Sequence, residues 1–335
     1  MEPVGVQGVD GRPLYPDVAP RPHHHPGTAW RDVDLHVHTR SSPDGCIEHR
    51  RLLDLARAQG RRVIAVTDHN TAAGAVAVRR LAAQTGDDLL VLVGMELSTR
   101  DLGHVVVFGR GVEEDWGWER MLPFPKHLPE HWVAIKAHPY RDKIARQDGR
   151  VVAPALPTLP ERIDAVEVWN GVDRLKAPHL RQEYHDLSWA YAQRSAKVPV
   201  AASDAHIALC VHSHFTRFAR PIRHVDDLVE QLRNGEAEPH AQPESHLRWC
   251  AAGYRRRKLA LWHLTGEDWR ARAAGGGWDL DGTAQQLASF TRVRALAMRG
   301  AGLPSIVEET GLPPYLAAEY LDVVDDVGLY LSRSS

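Results

Sequence analysis

Cysteine is scarce in this chain of 335 residues, and the three present, Cys46, Cys210 and Cys250, are an odd number without a metal-type spacing. That excludes a disulfide framework and fits reduced thiols in a cytoplasmic protein. Net charge is equally scarce, with 41 Lys and Arg against 43 Asp and Glu. No global field draws the chain to nucleic acid or to an anionic membrane, so any anion site has to be local. No run approaches the roughly 18 apolar residues of a membrane helix. The opening MEPVGVQGVDGRPLYPDVAPRPHHHPG lacks the basic-then-apolar form of a signal peptide. These absences predict a protein that stays in the cytoplasm without a membrane partner.

What is present is a core-forming composition, 43% hydrophobic and 25% charged, enough for one large domain and an extension. The His23, His24 and His25 run sits among prolines and reads as part of a flexible leader over residues 1–30. Over residues 31–221, short apolar runs recur: VDLHVH, RVIAVT, LLVLVG, HVVVFG, WVAIKA, IDAVEVW and VPVAAS. Most are separated by segments long enough for a crossover helix, such as EHRRLLDLARAQG, with apolar Leu52, Leu53, Leu55 and Ala56 and a stop at Gly60. This alternation describes an α/β layer or barrel. Only LSTRDLG separates LLVLVGME from HVVVFG, too little for a parallel crossover, so these two strands form a hairpin and His104 lies near Glu96. Residues 222–335 read as a helical extension, ending in a helix, Gly-containing turn, helix rhythm.

Strand alternation turns Val33, Leu35 and Val37 one way and Asp34, His36 and His38 the other. Nearly every other run also carries an ionisable residue at one end: Asp44 beyond the first strand, then Asp68 and His69, Glu96, His104, Lys136 and His138, Glu167, and Asp204 with His206. In parallel α/β folds the carboxyl ends of the strands form the active face, which brings such residues together. Burying several imidazoles and carboxylates side by side is costly unless a metal compensates them. Imidazole nitrogen and carboxylate oxygen suit zinc, manganese or iron, and the absence of thiolates argues against a structural zinc site.

HVHT at His36, SPDG at Asp44, TDHN at His69, GMEL at Glu96, the following His104, AHP at His138, and SDAH at Asp204 and His206 resemble the successive motifs of the PHP family, named for polymerase and histidinol phosphatase. The resemblance covers residues 31–206 in the expected order. It implies a distorted seven-stranded β/α barrel of PHP type with three divalent metal ions. Carried over by motif, one ion takes His36, His38, Glu96 and Asp204. A second shares Glu96 and adds His104 and His138, and a third takes Asp44, His69 and His206. The aspartate at position 44, where some members have histidine, is similar to the phosphoesterase branch acting on small phosphorylated molecules, and AVEVWNG looks like the segment those relatives carry before SDAH. The implied activity is hydrolysis of a phosphoester in a small metabolite or nucleotide by a metal-bound hydroxide. Asp34 and Asp68, flanking ligands, read as orienters of imidazole N–H groups.

Arg40 and Arg141 are placed to reach a phosphate near the metals, and Lys136 shares a strand face with His138. His212 and His214 form a second H-x-H, outside the family pattern, that could line a substrate pocket or protonate a leaving oxygen. Three rivals stand beside the phosphoesterase reading: a nuclease, a non-phosphate metallohydrolase, and a regulatory binding protein using the C-terminal helices. A nuclease would want a basic, aromatic-lined groove. Only Arg255, Arg256, Arg257 and Lys258, with Trp249, Tyr254 and Trp262 nearby, could supply one, and that stretch reads better as a solvated helix face over a tryptophan core.

Overall fold

The computed structural model describes residues 26–86, 88–113, 121–147, 150–176, 180–275 and 279–334. The His23, His24 and His25 run lies outside them. β1 (Asp32–Val33) leads into α1 (His49–Ala58), which buries Leu52, Leu53, Leu55 and Ala56 and stops where Gly60 takes φ +62°. β2 (Val63–Val66) is apolar and wholly buried, and α2 (Ala73–Gln84) follows it. Next come β3 (Leu90–Thr99), β4 (Gly103–Gly109), β5 (Trp132–Lys136) and a ribbon of β6 (Ala145–Gln147) with β7 (Arg150–Val152). β8 (Ala165–Asn170), α3 (Gly171–Lys176), α4 (Arg181–Arg194) and β9 (Val198–Ala202) complete the alternation.

One curled sheet runs β2-β3-β4-β5-β8-β9. β4 is antiparallel to both neighbours and the other pairs are parallel. The turn at residues 100–102 is too short for a crossover and forces the hairpin, with Ser98 opposite His104. The start of β4 is thereby delivered to the end where the parallel strands finish.

The segment after β1 closes the barrel between β2 and β9. Thr67 N donates to Val37 O at 2.9 Å on one side, and His38 N donates to Ala205 O at 2.9 Å on the other. Regular strand geometry lapses here because side chains take over ladder positions: Val37 N donates to Thr67 Oγ1 at 3.1 Å. The result is the distorted seven-stranded barrel, with the chain from Asp32 to His38 as its seventh stave.

β10 (His214–Phe218) pairs with β1 and with β11 (Ala237–Ala241), with α5 (Val225–Arg233) between them. Arg217 forks Asp32 at 2.7 and 2.9 Å across the β1–β10 pair. The compact unit that holds the barrel therefore runs to Pro243, beyond the limit at residue 221 read from the fading strand pattern. β11 is AEPHA, a sequence with a proline and no β-branched residue, which conceals a strand. As the edge of a three-stranded sheet it tolerates Pro239.

A second compact unit contains residues 244–335. Its helices are α6 (Glu244–Leu264), α7 (Trp269–Gly275), α8 (Leu280–Met298), α9 (Leu303–Thr310) and α10 (Pro314–Ser334). They share a core of their own around Leu287, Phe290, Val293, Ile306, Ala317 and Tyr320. The turn from α9 to α10 uses Gly311 at φ +68°. Among the described residues no helix is long and apolar enough to cross a membrane.

Candidate metal centre

Every parallel strand of the barrel ends in a polar turn, and the closing segment brings the polar face of the first stave against them. His36, His38, Glu96 and Asp204 are buried to within 1%. His36 Nε2 lies 3.3 Å from Glu96 Oε2 and 3.4 Å from Asp204 Oδ1. His38 Nε2 lies 3.4 and 3.2 Å from the same two oxygens. All four atoms are buried and none makes a well-aligned hydrogen bond, although His69 Nδ1 also stands 2.8 Å from Glu96 Oε2.

Two buried imidazole nitrogens set against two carboxylate oxygens without well-aligned hydrogen bonds would be an unpaid desolvation cost in a closed protein. A tetrahedral ion with ligands at 2.0–2.1 Å separates those ligands by about 3.3–3.4 Å. The four ring-to-carboxylate spacings are close to that figure, and the ligand atoms of His36, His38 and Asp204 lie together as one group, so this donor set suits a divalent cation.

The other oxygen of Glu96, Oε1, meets His104 Nδ1 at 2.8 Å and His138 Nε2 at 3.0 Å. A third set forms around Asp44, with His69 Nε2 at 3.4 Å from Oδ1 and His206 Nε2 at 3.2 Å from Oδ2. The Asp44 side chain is 47% exposed although its Oδ1 is buried, so this set has one side toward solvent. His69 faces two ways, because its Nδ1 is also 2.8 Å from Glu96 Oε2. Among the described residues, ligand-forming atoms group as His36 with His38 and Asp204, as His69 with Glu96 and His104, and as His38 with Asp44, His69 and His206. Glu96 thus groups with His69 and His104 rather than with His36 and His38, and His138 falls in none of the groups and reaches the cluster through Glu96 Oε1.

Imidazole orientation comes from residues that the sequence reading did not single out as orienters. Glu167 Oε1 accepts from His36 Nδ1 at 2.7 Å, and Asp204 O accepts from His206 Nδ1 at 2.8 Å. In both cases the proton stays on Nδ1 and the Nε2 lone pair is turned to the centre. Ser42 Oγ sits 2.9 Å from His38 Nδ1. Asp34 and Asp68, expected in that role, serve the framework instead. Asp34 accepts from Ser203 N, Ser203 Oγ and His212 N at 2.5–2.9 Å, tying the first stave to the end of β9. Asp68 takes Thr39 N and Thr39 Oγ1, each at 2.7 Å. Gly74 leaves room for this pair, since a Cβ there would stand 1.9 Å from Asp68 Oδ2.

The candidate phosphate readers are likewise engaged elsewhere. Arg40 pairs with Glu48 at the surface. Lys136 Nζ donates to His104 O at 3.0 Å and Ala137 O at 2.6 Å, and burial drives its pKa down to about 7. Arg141 binds Asp173, Asn170 and Asp204. His212 stacks on Phe215 at 4.5 Å, and His214 lines a cavity with Glu167, Asn170, Arg181 and Tyr184. Neither belongs to the three ligand groups.

Charge in the cluster sets a pH dependence. Burial opposes protonation of His69, but Glu96 and Asp44 outweigh it and lift its pKa to about 10. Burial likewise opposes charge on His36, and Asp204, Glu96 and Glu167 together raise its pKa well above the ordinary value. Burial and His38 push His206 down, so it is neutral when metal arrives. A group with a raised pKa is charged below it, and a ligand must be neutral, so metal binding expels protons from His36 and His69. Metal affinity is expected to strengthen from about pH 6 to 8, by roughly tenfold per unit for each proton expelled. Calorimetry on metal-free protein in two buffers of different ionisation enthalpy counts those protons. Binding with no proton release would contradict the charge state.

Comparison with known proteins matches this arrangement to a family. Residues 34–148 match the sequence family described as the PHP domain, and residues 182–237 match the one described as PHP-associated. An uncharacterised protein of Methanocaldococcus jannaschii is 32% identical over 163 residues, covering 42% of this chain and 83% of that one. The phosphoribosyl 1,2-cyclic phosphate 1,2-diphosphodiesterase of Eggerthella lenta is 38% identical over 84 residues, 24% of this chain and 31% of that enzyme. Among solved structures, PsfC from Pseudomonas syringae aligns over 68% of this chain and 98% of its own, with 17% identity and a TM-score of 0.47. His36, His38, Asp44, His69, Glu96, His104 and His138 fall inside the first family match and Asp204 and His206 inside the second, so the chain belongs to the PHP family.

Proposed function

We propose that this protein is a metal-dependent hydrolase that cleaves a phosphoester in a small phosphorylated molecule, using three divalent cations drawn from manganese, iron and zinc. The observation that carries the reading is the set of four near-equal spacings among His36, His38, Glu96 and Asp204. Those four residues hold one ion, Glu96 with His104 and His138 a second, and Asp44 with His69 and His206 a third. Divalent cations, when bound, make water nucleophilic near neutral pH and neutralise the charge that develops on phosphoryl oxygens.

The chain's own part is to hold the ligands in place. Glu167 and Ser42 fix the rings of His36 and His38, while Lys136 locks the main chain beside His104 and His138. Asp44, the most exposed ligand, marks the side from which substrate approaches. The Eggerthella lenta relative acts on a cyclic phosphodiester, which supports phosphorus over carbon as the centre attacked.

The C-terminal unit speaks for a small substrate rather than a nucleic acid. Three of the four residues of its basic run are engaged in packing: Arg256 pairs with Glu319 at 2.5 Å, Arg257 is buried, and Lys258 lies over the rings of Tyr254 and Trp262, which leaves Arg255 as the exposed member. Trp249 is outside the described side chains. Three buried cysteines, none of them in a disulfide, accord with a cytoplasmic location.

Phosphate release by protein reconstituted with manganese, iron or zinc is the direct test. The substrates are nucleoside monophosphates, nucleoside bisphosphates, cyclic phosphates, sugar phosphates and a short oligonucleotide. Metal-dependent turnover of one small phosphate is expected. Turnover of the oligonucleotide alone would replace this reading with the nuclease one, and silence from a metal-loaded protein would favour a non-phosphate substrate.

A further inference from the structure

Arg141 follows His138 by three residues, a position that looks suited to a substrate phosphate. Its guanidinium is directed inward. Nη2 lies 2.5 Å from Asp204 Oδ2 and 2.6 Å from Asn170 Oδ1, and Nε lies 2.6 Å from Asp173 Oδ1. Only 15% of the side chain is exposed, and Asp173 and Asn170 are buried. Asn170 Nδ2 extends the network, donating to Glu167 Oε2 at 2.8 Å and to Asp204 Oδ2 at 3.3 Å.

One side chain thus ties together three strand ends. Arg141 N donates to His138 O at 3.2 Å in the turn after β5, Asn170 ends β8, and Asp204 follows β9. Two of these positions carry strained backbone, with φ +24° at His138 and φ +53° at Asp204. A non-glycine residue persists there only when its surroundings over-determine it. The Arg141 fork is such a determinant, and it is short and charge-assisted.

We propose that Arg141 is a positioning residue for metal binding rather than a substrate contact. By holding Oδ2 of Asp204 it leaves Oδ1 alone to face His36 and His38. The inference rests on the metal centre argued above. It explains why an arginine stands here: lysine offers a point charge and cannot bind Asp173, Asn170 and Asp204 in one plane. Asp173 acts through Arg141, holding the far side of the fork.

The test compares Arg141→Gln, Arg141→Lys and Asp173→Asn with wild type in two calorimetric titrations. Manganese is titrated into the metal-free chain, and inorganic phosphate into the manganese-saturated chain, with circular-dichroism melts to verify folding. Arg141→Gln is expected to weaken manganese binding by about 10- to 100-fold. Arg141→Lys should recover only part of that loss, and Asp173→Asn should weaken manganese in the same direction. Phosphate affinity of the saturated variants should stay at the wild-type value. Weaker phosphate binding with unchanged manganese affinity in Arg141→Gln would overturn the proposal and restore a substrate contact. If Arg141→Gln does not fold, Arg141→Lys and Asp173→Asn decide by the same criteria. A wild-type chain that binds no manganese overturns the metal centre itself, an outcome distinct from a wild type and Arg141→Gln that bind it equally.

Discussion

Asp204→Asn is expected to eliminate phosphate release while leaving the chain folded. The amide keeps the shape of the carboxylate and can stay beside Arg141, but it removes one of the two anionic oxygens that His36 and His38 both face, the other being Glu96 Oε2. Metal-assisted stabilisation of a phosphoryl transition state contributes several kcal/mol, so losing it should lower turnover by about a thousandfold or more. Bound metal, measured by elemental analysis after dialysis, should fall by about one ion per chain. Asp204→Ala should be worse in a second way. It removes the counter-ion from a largely buried Arg141, which Asp173 alone then compensates. Breaking such a pair costs about 3–5 kcal/mol, and the remaining aspartate places this case at the lower end. Denaturant unfolding of the two metal-free variants separates the effects. Wild-type turnover in Asp204→Asn would remove the His36, His38 and Asp204 site from the mechanism.

Glu96→Gln should cost more metal than Asp204→Asn, because the two carboxylate oxygens serve different sets of rings. Oε2 faces His36, His38 and His69, while Oε1 faces His104 and His138. An amide presents an oxygen on one side only and an N–H₂ on the other, so both sets cannot be satisfied at once. About two ions per chain should be lost, together with all hydrolysis. The metal-free variant also loses stability in a pH-dependent way. Burial works against the Glu96 carboxylate, but His36, His69 and His104 hold its pKa well below the ordinary range. A depressed pKa contributes stability above the unfolded value of about 4.3 and loses it as pH falls through the folded one. The wild type should therefore exceed Glu96→Gln at neutral pH, with the gap closing in acid. Loss of a single ion, equal to that in Asp204→Asn, would show that Glu96 does not bridge two sites.

Much of the centre is legible in the sequence because its donors sit at strand ends, where motif and periodicity coincide. Asp34, His36 and His38 alternate with Val33, Leu35 and Val37, and that period assigns the face. The short span between Glu96 and His104 leaves the chain one option, and the hairpin brings those two residues within 2.8 Å. The partners of the ligands are less legible. Glu167 bonds a ring 131 positions away, and nothing in AVEVWNG states that distance. β11 is hidden by Pro239, which local propensity penalises and an unpaired sheet edge accepts.

The sequence by itself determined the α/β alternation, the hairpin and the strand ends that carry the candidate donors, because these follow from side-chain period and chain length. Tertiary structure decided where the side chains with reach went. Arg141 and Lys136 are long enough to meet a substrate, and Asp34 and Asp68 are close enough to meet an imidazole. In the folded chain each turns to buried groups that would otherwise lack a partner: Asp204 and Asp173 for Arg141, the His104 and Ala137 carbonyls for Lys136, and main-chain or hydroxyl donors for the two aspartates. A strand's period fixes the face of a residue. The identity of its nearest unsatisfied partner exists only once distant strands have been packed together and water has been excluded.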